Sequence, residues 1–483
     1  MPGITTLPIT SDTAEGDRDR VGQASVLVLA WSAEEPLRVG EIAMVPEGEL
    51  HVFGRGDGDA GETRVRFFRQ RPGSLDPEPA LAGAGLSRRQ LSVMAREGHL
   101  EIECIGQCEL RVNGVACKRA VVRPGDTIHL RRQVVLVFVR RAVLIPKGRH
   151  FPEESWGAFG EPDAQGIIGE SPTTWLLRQH LGFVAKAATH TLLVGASGTG
   201  KELAARAIHA LSGRAGKPWV ARNAATLPPG LIDAELFGNA KNYPNAGMPE
   251  RPGLIGQADG GTLFLDEIAE LPPEQQAHLL RVLDLGGEYQ RLGESITRRS
   301  DFRLVGATNR DPGALKHDLR ARLTSLVELS PLSSRREDIP LLARHLLISA
   351  AKRSPDVAGR FVERDGRGRA LPRFTPAFVE SILRHEFETN TRELEAVLWK
   401  AISEATGSDI GAPSGRPSES ALSPTRPLRV ALRPPAEPSL EQIRGALGRA
   451  GGSIEKAARA LGLSRFALYR LMKKHGLKDI PTD

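Results

Sequence analysis

The sequence predicts a multidomain protein: an all-β sandwich, then a parallel α/β domain with a helical lid, then a small all-α unit. Three observations carry that reading. Short β-branched runs bounded by Gly, Pro and Asp clusters fill the first third of the chain. Strand–helix alternation follows from Ile167, which argues for a parallel sheet. Helical spacing without strands then runs from Arg335 to about Ala405. At 483 residues the chain also exceeds what one hydrophobic core supports.

In order, residues 1–24 form a polar tail. The sandwich spans 25–143, with strands expected at Ser25–Leu29, Leu50–Phe53, Val65–Phe68, Leu100–Cys104, Thr127–Leu130 and Val134–Val139. A linker rich in Pro, Gly and acidic residues covers 144–166. The α/β domain occupies 167–333 and the lid 334–405. A stretch dense in Pro, Ser and Gly, 406–437, reads as a flexible tether. Residues 438–478 are helical and basic.

Composition is that of an ordinary soluble protein, 40% hydrophobic and 25% charged. The net charge of +7 fits a nucleic-acid partner. The first twenty residues lack the basic start and apolar run of a signal peptide, and no stretch reaches the roughly 18 apolar residues of a membrane helix. The three cysteines, Cys104, Cys108 and Cys117, match no zinc spacing and suit a reducing compartment as buried thiols. A cytoplasmic location is expected.

The strongest local signal is Gly195-Ala196-Ser197-Gly198-Thr199-Gly200-Lys201, between an apolar strand at Thr191–Val194 and a helix from Glu202. Glycines let backbone N–H groups curl around phosphate oxygens, the helix start adds positive potential, and Lys201 reaches the terminal phosphates. Glu202 stands where Ser or Thr normally meets magnesium. Further on, Gly261-Thr-Leu-Phe-Leu-Asp266-Glu267 delivers two carboxylates at a strand end. That pair suits Mg²⁺ coordination by Asp266 and activation of water by Glu267. A strand at Phe302–Ala307 leads to Thr308-Asn309-Arg310, placed to sense a γ-phosphate. Asn223, after the strand Trp219–Ala221, is placed to restrain Glu267. ATP with Mg²⁺ is therefore the expected ligand.

These residues resemble a known family. Gly-x-Ser-Gly-Thr-Gly-Lys-Glu, Ala-Glu-Leu-Phe-Gly at 234–238, the run at 258–267, Ala-Thr-Asn-Arg at 307–310 and Arg-Arg-Glu-Asp-Ile-Pro-Leu-Leu at 335–342 resemble the AAA+ domain of sigma-54-dependent transcription activators. In that family Glu does follow the loop lysine, as Glu202 does here. The resemblance implies a ring-forming ATPase, dimer to hexamer, with its site between neighbouring subunits, and sigma-54 RNA polymerase as partner. Lys316 and Arg322 fall in the arginine-finger segment, where Lys316 replaces the first arginine; Arg320 has no family counterpart. Asn390-Thr-Arg392 matches the lid's sensor arginine. The family's sigma-contacting Gly-Ala-Phe-Thr-Gly-Ala becomes Asn242-Tyr-Pro-Asn-Ala-Gly247 in this chain. Pro244 fixes φ and removes a donor, so this loop does not reproduce the usual one.

At the C-terminus, Leu461-Gly462 ends one helix and Ser464 caps the next, which carries Arg465, Tyr469, Arg470, Lys473 and Lys474. This resembles a Fis-type helix-turn-helix, which implies DNA contact through those residues. At the other end, Phe53-Gly-Arg55, Leu86-Ser87-Arg88-Arg-Gln90, Val112-Asn113-Gly114 and Pro124-Gly-Asp126 resemble a forkhead-associated domain. That resemblance implies recognition of a threonine-phosphorylated protein by Arg55, Ser87, Arg88 and Asn113. The family's His is Gln90, and its Asn-Gly-Thr slot falls on Cys108-Glu109-Leu110. Three functions remain open: a sigma-54 activator, a sigma-54-independent DNA-binding regulator in which ATP controls assembly, and a phosphothreonine-binding scaffold with a degenerate ATPase.

Overall fold

The computed structural model describes residues 22–58, 61–284, 286–414, 444–446, 457–458, 468 and 472. The DNA-contact residues Ser464, Arg465, Tyr469, Arg470, Lys473 and Lys474 lie outside the described residues.

Twelve strands build the first domain: β1 (Gln23–Ser32), β2 (Ile42–Val45), β3 (Leu50–Phe53), β4 (Phe68–Arg71), β5 (Ser74–Pro77), β6 (Leu91–Arg96), β7 (His99–Cys104), β8 (Leu110–Val112), β9 (Val115–Cys117), β10 (Arg119–Val122), β11 (Thr127–Leu130) and β12 (Val134–Ala142). They form an eight-stranded sheet, β5-β4-β2-β1-β12-β11-β8-β9, facing a four-stranded one, β10-β7-β6-β3. The expected strand at Val65–Phe68 is corrected: Phe68 begins β4, while Arg64 only bridges Val52. Arg64 turns its side chain to neighbouring loop carbonyls instead of pairing along a strand.

β1 and β12 pair antiparallel at the centre of the large sheet and are apolar almost without interruption. The reason is that both of their faces are covered. Leu27, Leu29, Leu136 and Phe138 fill the space between the two sheets. Val26, Val28, Val135 and Val137 point the other way, into a core shared with the lid.

The second domain contains α1 (Pro172–Ala187), β13 (Thr191–Val194), α2 (Lys201–Ala210), β14 (Trp219–Asn223), α3 (Ile232–Phe237), α4 (Gly253–Gln257), β15 (Thr262–Asp266), α5 (Pro273–Asp284), the short pair β16 (Glu288–Tyr289) and β17 (Arg298–Arg299), β18 (Arg303–Thr308), α6 (His317–Arg322) and β19 (Ser325–Glu328). The five parallel strands run β14-β15-β18-β13-β19. Alternate residues feed opposite faces: Leu192, Leu263, Leu265 and Leu304 pack with α3 to α5, whereas Leu193, Phe264 and Val305 pack with α1 and α2. Arg303, at the start of β18, donates to the carbonyls of Val184, Ala185 and Thr189 and so caps the end of α1. Burial, with Arg214 nearby, pushes its guanidinium pKa down to about 10.

The lid holds α7 (Ile339–Arg353), α8 (Pro355–Ala358), a hairpin of β20 (Val362–Arg364) and β21 (Ala370–Pro372), α9 (Pro376–Arg384) and α10 (Thr391–Glu404). The hairpin corrects the expectation of a lid without strands. Asp365 closes its turn by accepting from the N–H groups of Arg367 and Arg369. Residues 144–166, expected as a linker, pack closely: Ile145, Phe151 and Trp156 cluster with Trp175 of α1. Arg69 and Arg71 of β4 lie over the Phe159 ring.

Candidate nucleotide site and anion-facing loops

The Gly195–Gly200 loop joins β13 to α2, with Gly198 and Gly200 in the left-handed region at φ +75° and +100°. Thr199 Oγ1 donates to the Ala196 carbonyl (2.9 Å), and Lys201 Nζ donates to the Gly195 carbonyl (2.9 Å). The ammonium therefore folds back under its own loop. Burial holds its pKa below the ordinary lysine value, with Arg392 adding to the effect and Glu267 and Asp266 opposing it.

The lid closes on this loop. Thr391 donates to the Gly198 carbonyl through both N (3.2 Å) and Oγ1 (2.5 Å). Asn390 Nδ2 donates to the Ser197 carbonyl (3.0 Å), while its Oδ1 accepts from Leu332 N (2.8 Å). Arg392 Nη1 donates to Ser197 Oγ (2.8 Å), which brings the expected sensor arginine to the loop. A Cβ on Gly198 would lie 2.1 Å from the Thr389 carbonyl oxygen, so only glycine fits there.

Asp266 and Glu267 sit at the end of β15. Glu267 is in the left-handed region at φ 50°, a costly conformation for a residue with a side chain. Its Oε2 accepts from Asn309 N (3.4 Å), so the candidate catalytic carboxylate meets the segment after β18 that the sequence marks for γ-phosphate sensing. Thr308 is fully buried and accepts from Arg310 N. Asn223 pairs in register with Asp266, yet its amide oxygen accepts from Ala225 N (2.8 Å) and caps the following turn. No Asn223–Glu267 hydrogen bond is present. Glu202 lies on the outer side of α2, paired with Arg206 (2.9 Å). Lys316, Arg320 and Arg322 are exposed at α6; Arg322 pairs with Asp284, and none of the three bonds to the chain's own phosphate loop.

Sequence reasoning missed an apolar recess beside the loop, lined by Gly166, Ile167, Ile168, Leu203, Arg335 and Leu342 among others. Its wall is fixed by Arg178, which pairs with Asp163 (2.7 Å) and donates to the carbonyls of Ile167 and Gly169. Asp338 locks the same strap by accepting from Glu170 N, Ser171 N, Ser171 Oγ and Thr174 Oγ1 at 2.5–2.9 Å.

In the first domain, Arg55 N donates to the Ser87 carbonyl (3.1 Å), so those two loops adjoin, and Arg88 is exposed beside them. Two unanticipated side chains hold them. Arg64 donates to the carbonyls of Arg55, Gly56 and Arg88. Gln90, wholly buried, accepts from Cys108 N and donates to the Cys108 carbonyl. Asn113 is held elsewhere: it donates to Asp126 (2.8 Å) and accepts from Thr127 N (3.0 Å), and Gly114 next to it faces Arg384 of the lid. Among the described residues no hydrogen bond joins Asn113 to Arg55, Ser87 or Arg88.

Comparison with known proteins bears on this architecture. Residues 167–329 match the Sigma-54 interaction domain, and residues 439–475 match the bacterial regulatory protein, Fis family. The transcriptional regulatory protein ZraR of Escherichia coli K12 is 39% identical over 319 residues, covering 64% of this chain and 68% of ZraR. The chain belongs to the sigma-54-dependent transcriptional activators. Another member, the Nif-specific regulatory protein of Azotobacter vinelandii, is 38% identical over 352 residues, 69% of this chain and 64% of that protein. Among solved structures, NtrX from Brucella abortus in complex with ADP is similar, at 30% identity and a TM-score of 0.44, over 65% of this chain and 70% of that one. Within this activator, the matched domain begins at the strap that walls the recess and ends on the far strand of the sheet. Among the described residues no helix is long and apolar enough to cross a membrane.

Proposed function

We propose that this activator is an ATPase that binds DNA through its C-terminal residues and remodels sigma-54 RNA polymerase under the control of its N-terminal sandwich. The observation that carries the reading is the 195–201 loop with its buried lysine, joined by the lid's Arg392 through Ser197 and with the strand-end carboxylates Asp266 and Glu267 near Lys201. The loop N–H groups and Lys201 would take the phosphates, and the apolar recess would take the base. Glu267, held by Asn309 N, would orient the attacking water. Bound Mg²⁺ would supply charge neutralisation on the phosphates. Asp266 would hold it, since one or two carboxylates with nucleotide phosphates suffice for this ion. Lys316 and Arg322 face outward, where they would serve a neighbouring subunit's nucleotide in a homo-oligomer.

The sandwich would read a threonine-phosphorylated protein with Arg55, Ser87 and Arg88. A second reading, a sigma-54-independent regulator in which ATP only controls assembly, is favoured by one observation. The 241–250 segment is exposed but braced on itself: Asn242 N donates to the Met248 carbonyl and Gly247 N to Asn242 Oδ1. Pro244 and Asn245 stand where the family has its Phe-Thr pair, and the segment's exposed apolar side chains are Tyr243 and Met248.

The test is transcription in vitro from a sigma-54 promoter carrying this protein's binding site. ATP-dependent open complexes are expected. DNA occupancy with ATP hydrolysis but no open complexes would instead establish the second reading.

A further inference from the structure

A second cavity lies outside the nucleotide site. It has a volume of about 580 Å³ and is lined by Ala158 and Glu161 of the inter-domain strap, Arg344, Ile348, Ala351 and Lys352 of α7, and the β20–β21 hairpin with Arg364 and Arg369. That volume falls within the roughly 300–1,000 Å³ typical of small-molecule sites.

Its charge is one-sided. Four cations line it against one carboxylate, Glu161. Arg369 is neutralised by Asp365 (2.7 Å), but no carboxylate among the described residues pairs with Lys352 or Arg364. Arg344 is the anchor. It is 5% exposed, it pairs with Glu161 and reaches the Ala370 carbonyl (3.4 Å), and its Nε is buried without a partner. The rest of the lining is small and apolar, namely Ala158, Ile348, Ala351, Gly359, Val362 and Ala370, which suits a carbon skeleton.

From these features we infer that the cavity binds a small organic anion with at least two negative charges, a phosphate ester or a polycarboxylate. The site has a position from which it can speak to the nucleotide. At about 100° per residue, Arg344, Ile348, Ala351 and Lys352 lie on one side of α7, and Leu342, which lines the apolar recess, lies on the other. One helix thus separates the two pockets. Because Arg344 holds the strap through Glu161, an anion that competes for that guanidinium acts on the joint between sandwich and lid.

The experiment is isothermal titration of the full-length chain with pyrophosphate and, separately, citrate, in a Lys201→Ala background that removes phosphate binding at the loop. One saturable site per chain is expected, with affinity at least ten-fold weaker in Lys352→Gln/Arg364→Gln and unchanged in Lys186→Gln, an exposed lysine of α1. Both lining residues are exposed, so their substitution leaves the core intact. Preference for pyrophosphate assigns the phosphate-ester class, and preference for citrate the polycarboxylate class. Absence of saturable binding by either probe up to about 10 mM, beyond the weakest useful affinity, overturns the inference. So does an equal loss in Lys186→Gln, which would mean charge screening only.

Discussion

Two sets of loops in the chain, one in the α/β domain and one in the sandwich, are secured by opposite means. The 195–201 loop is held from outside, by Asn390, Thr391 and Arg392 reaching across from the lid to Ser197 and Gly198. The Arg55 and Ser87 loops are held from within their own domain, by Arg64 on their carbonyls and by buried Gln90. The first arrangement makes the site's geometry depend on where the lid sits. The second braces its loops with residues of the sandwich alone. The hydrogen bonds on the 195–201 loop come from a separate element, the lid, whereas those on the Arg55 and Ser87 loops come from neighbours in the same sandwich.

The largest expected effect breaks the comparison at the chemical step. Glu267→Gln keeps the loop, Lys201 and the lid clamp while removing the base, so ATP turnover should fall by about 10²- to 10⁴-fold with ATP affinity preserved. Parallel measurement of steady-state hydrolysis and nucleotide binding decides it; undiminished turnover would refute the role.

Next comes the clamp itself. Gly198→Ala places a methyl 2.1 Å from the Thr389 carbonyl oxygen at a φ of +75°, so the lid must retreat. A stability loss of about 1–3 kcal/mol in urea unfolding is expected. A drop of about ten-fold in ATP affinity should accompany it, equivalent to about 1.4 kcal/mol. Intact affinity would show that the lid contact is incidental to the loop.

These two regions were also legible in the sequence to different degrees. The nucleotide loop was readable because its residues are consecutive and each has a backbone or charge reason to be there; Arg392 was readable by resemblance. Asn390 stands in the same motif, but its bracing role is not legible there, because its partners, Ser197 and Leu332, are brought together only by the fold. The apolar recess was hidden for the same reason, its walls coming from 166 to 391. Asn223 stood at the right strand end, but a local cap competes for its amide. The seam between sandwich and lid did leave a trace. The uninterrupted apolar runs of β1 and β12, where a one-sided sheet would alternate, signal a second covered face. Gln90 illustrates the reverse case: a departure from a familiar pattern that the structure employs as a brace.

That brace supplies a sharper test of how the sandwich loops are held. Gln90→Ala leaves Cys108 N–H and C=O without their side-chain partner, at a cost of about 1–3 kcal/mol. The sandwich should therefore melt earlier, and binding of a phosphothreonine peptide should weaken about ten-fold, while ATP hydrolysis by the unstimulated chain stays unchanged. Loss of hydrolysis in this variant would mean that the two loops are not independently braced.

The smallest effect concerns the seam where the two regions meet. Thr127 Oγ1 donates to Glu380 Oε1 (3.1 Å), His129 Nδ1 lies 3.4 Å from Glu380 Oε2, and Trp31 Nε1 donates to the Phe374 carbonyl (2.8 Å). Burial works to raise the Glu380 pKa, but His129, Thr127 and Arg384 outweigh it and hold the carboxyl below its ordinary value of 4.5. A carboxyl depressed in the folded state stabilises it fully above its unfolded pKa and ceases to do so as pH falls through the folded value. The carboxylate's contribution to the seam should therefore be present above pH 4.5 and be lost in acid as pH falls through the depressed folded value. Glu380→Gln keeps the shape and an acceptor but removes the charge. Urea midpoints measured from pH 7 down to pH 4 should fall less steeply in this variant than in the parent chain. Parallel slopes would assign the seam's strength to the apolar core around Val26, Val28, Val135 and Val137 rather than to the buried Glu380 carboxylate.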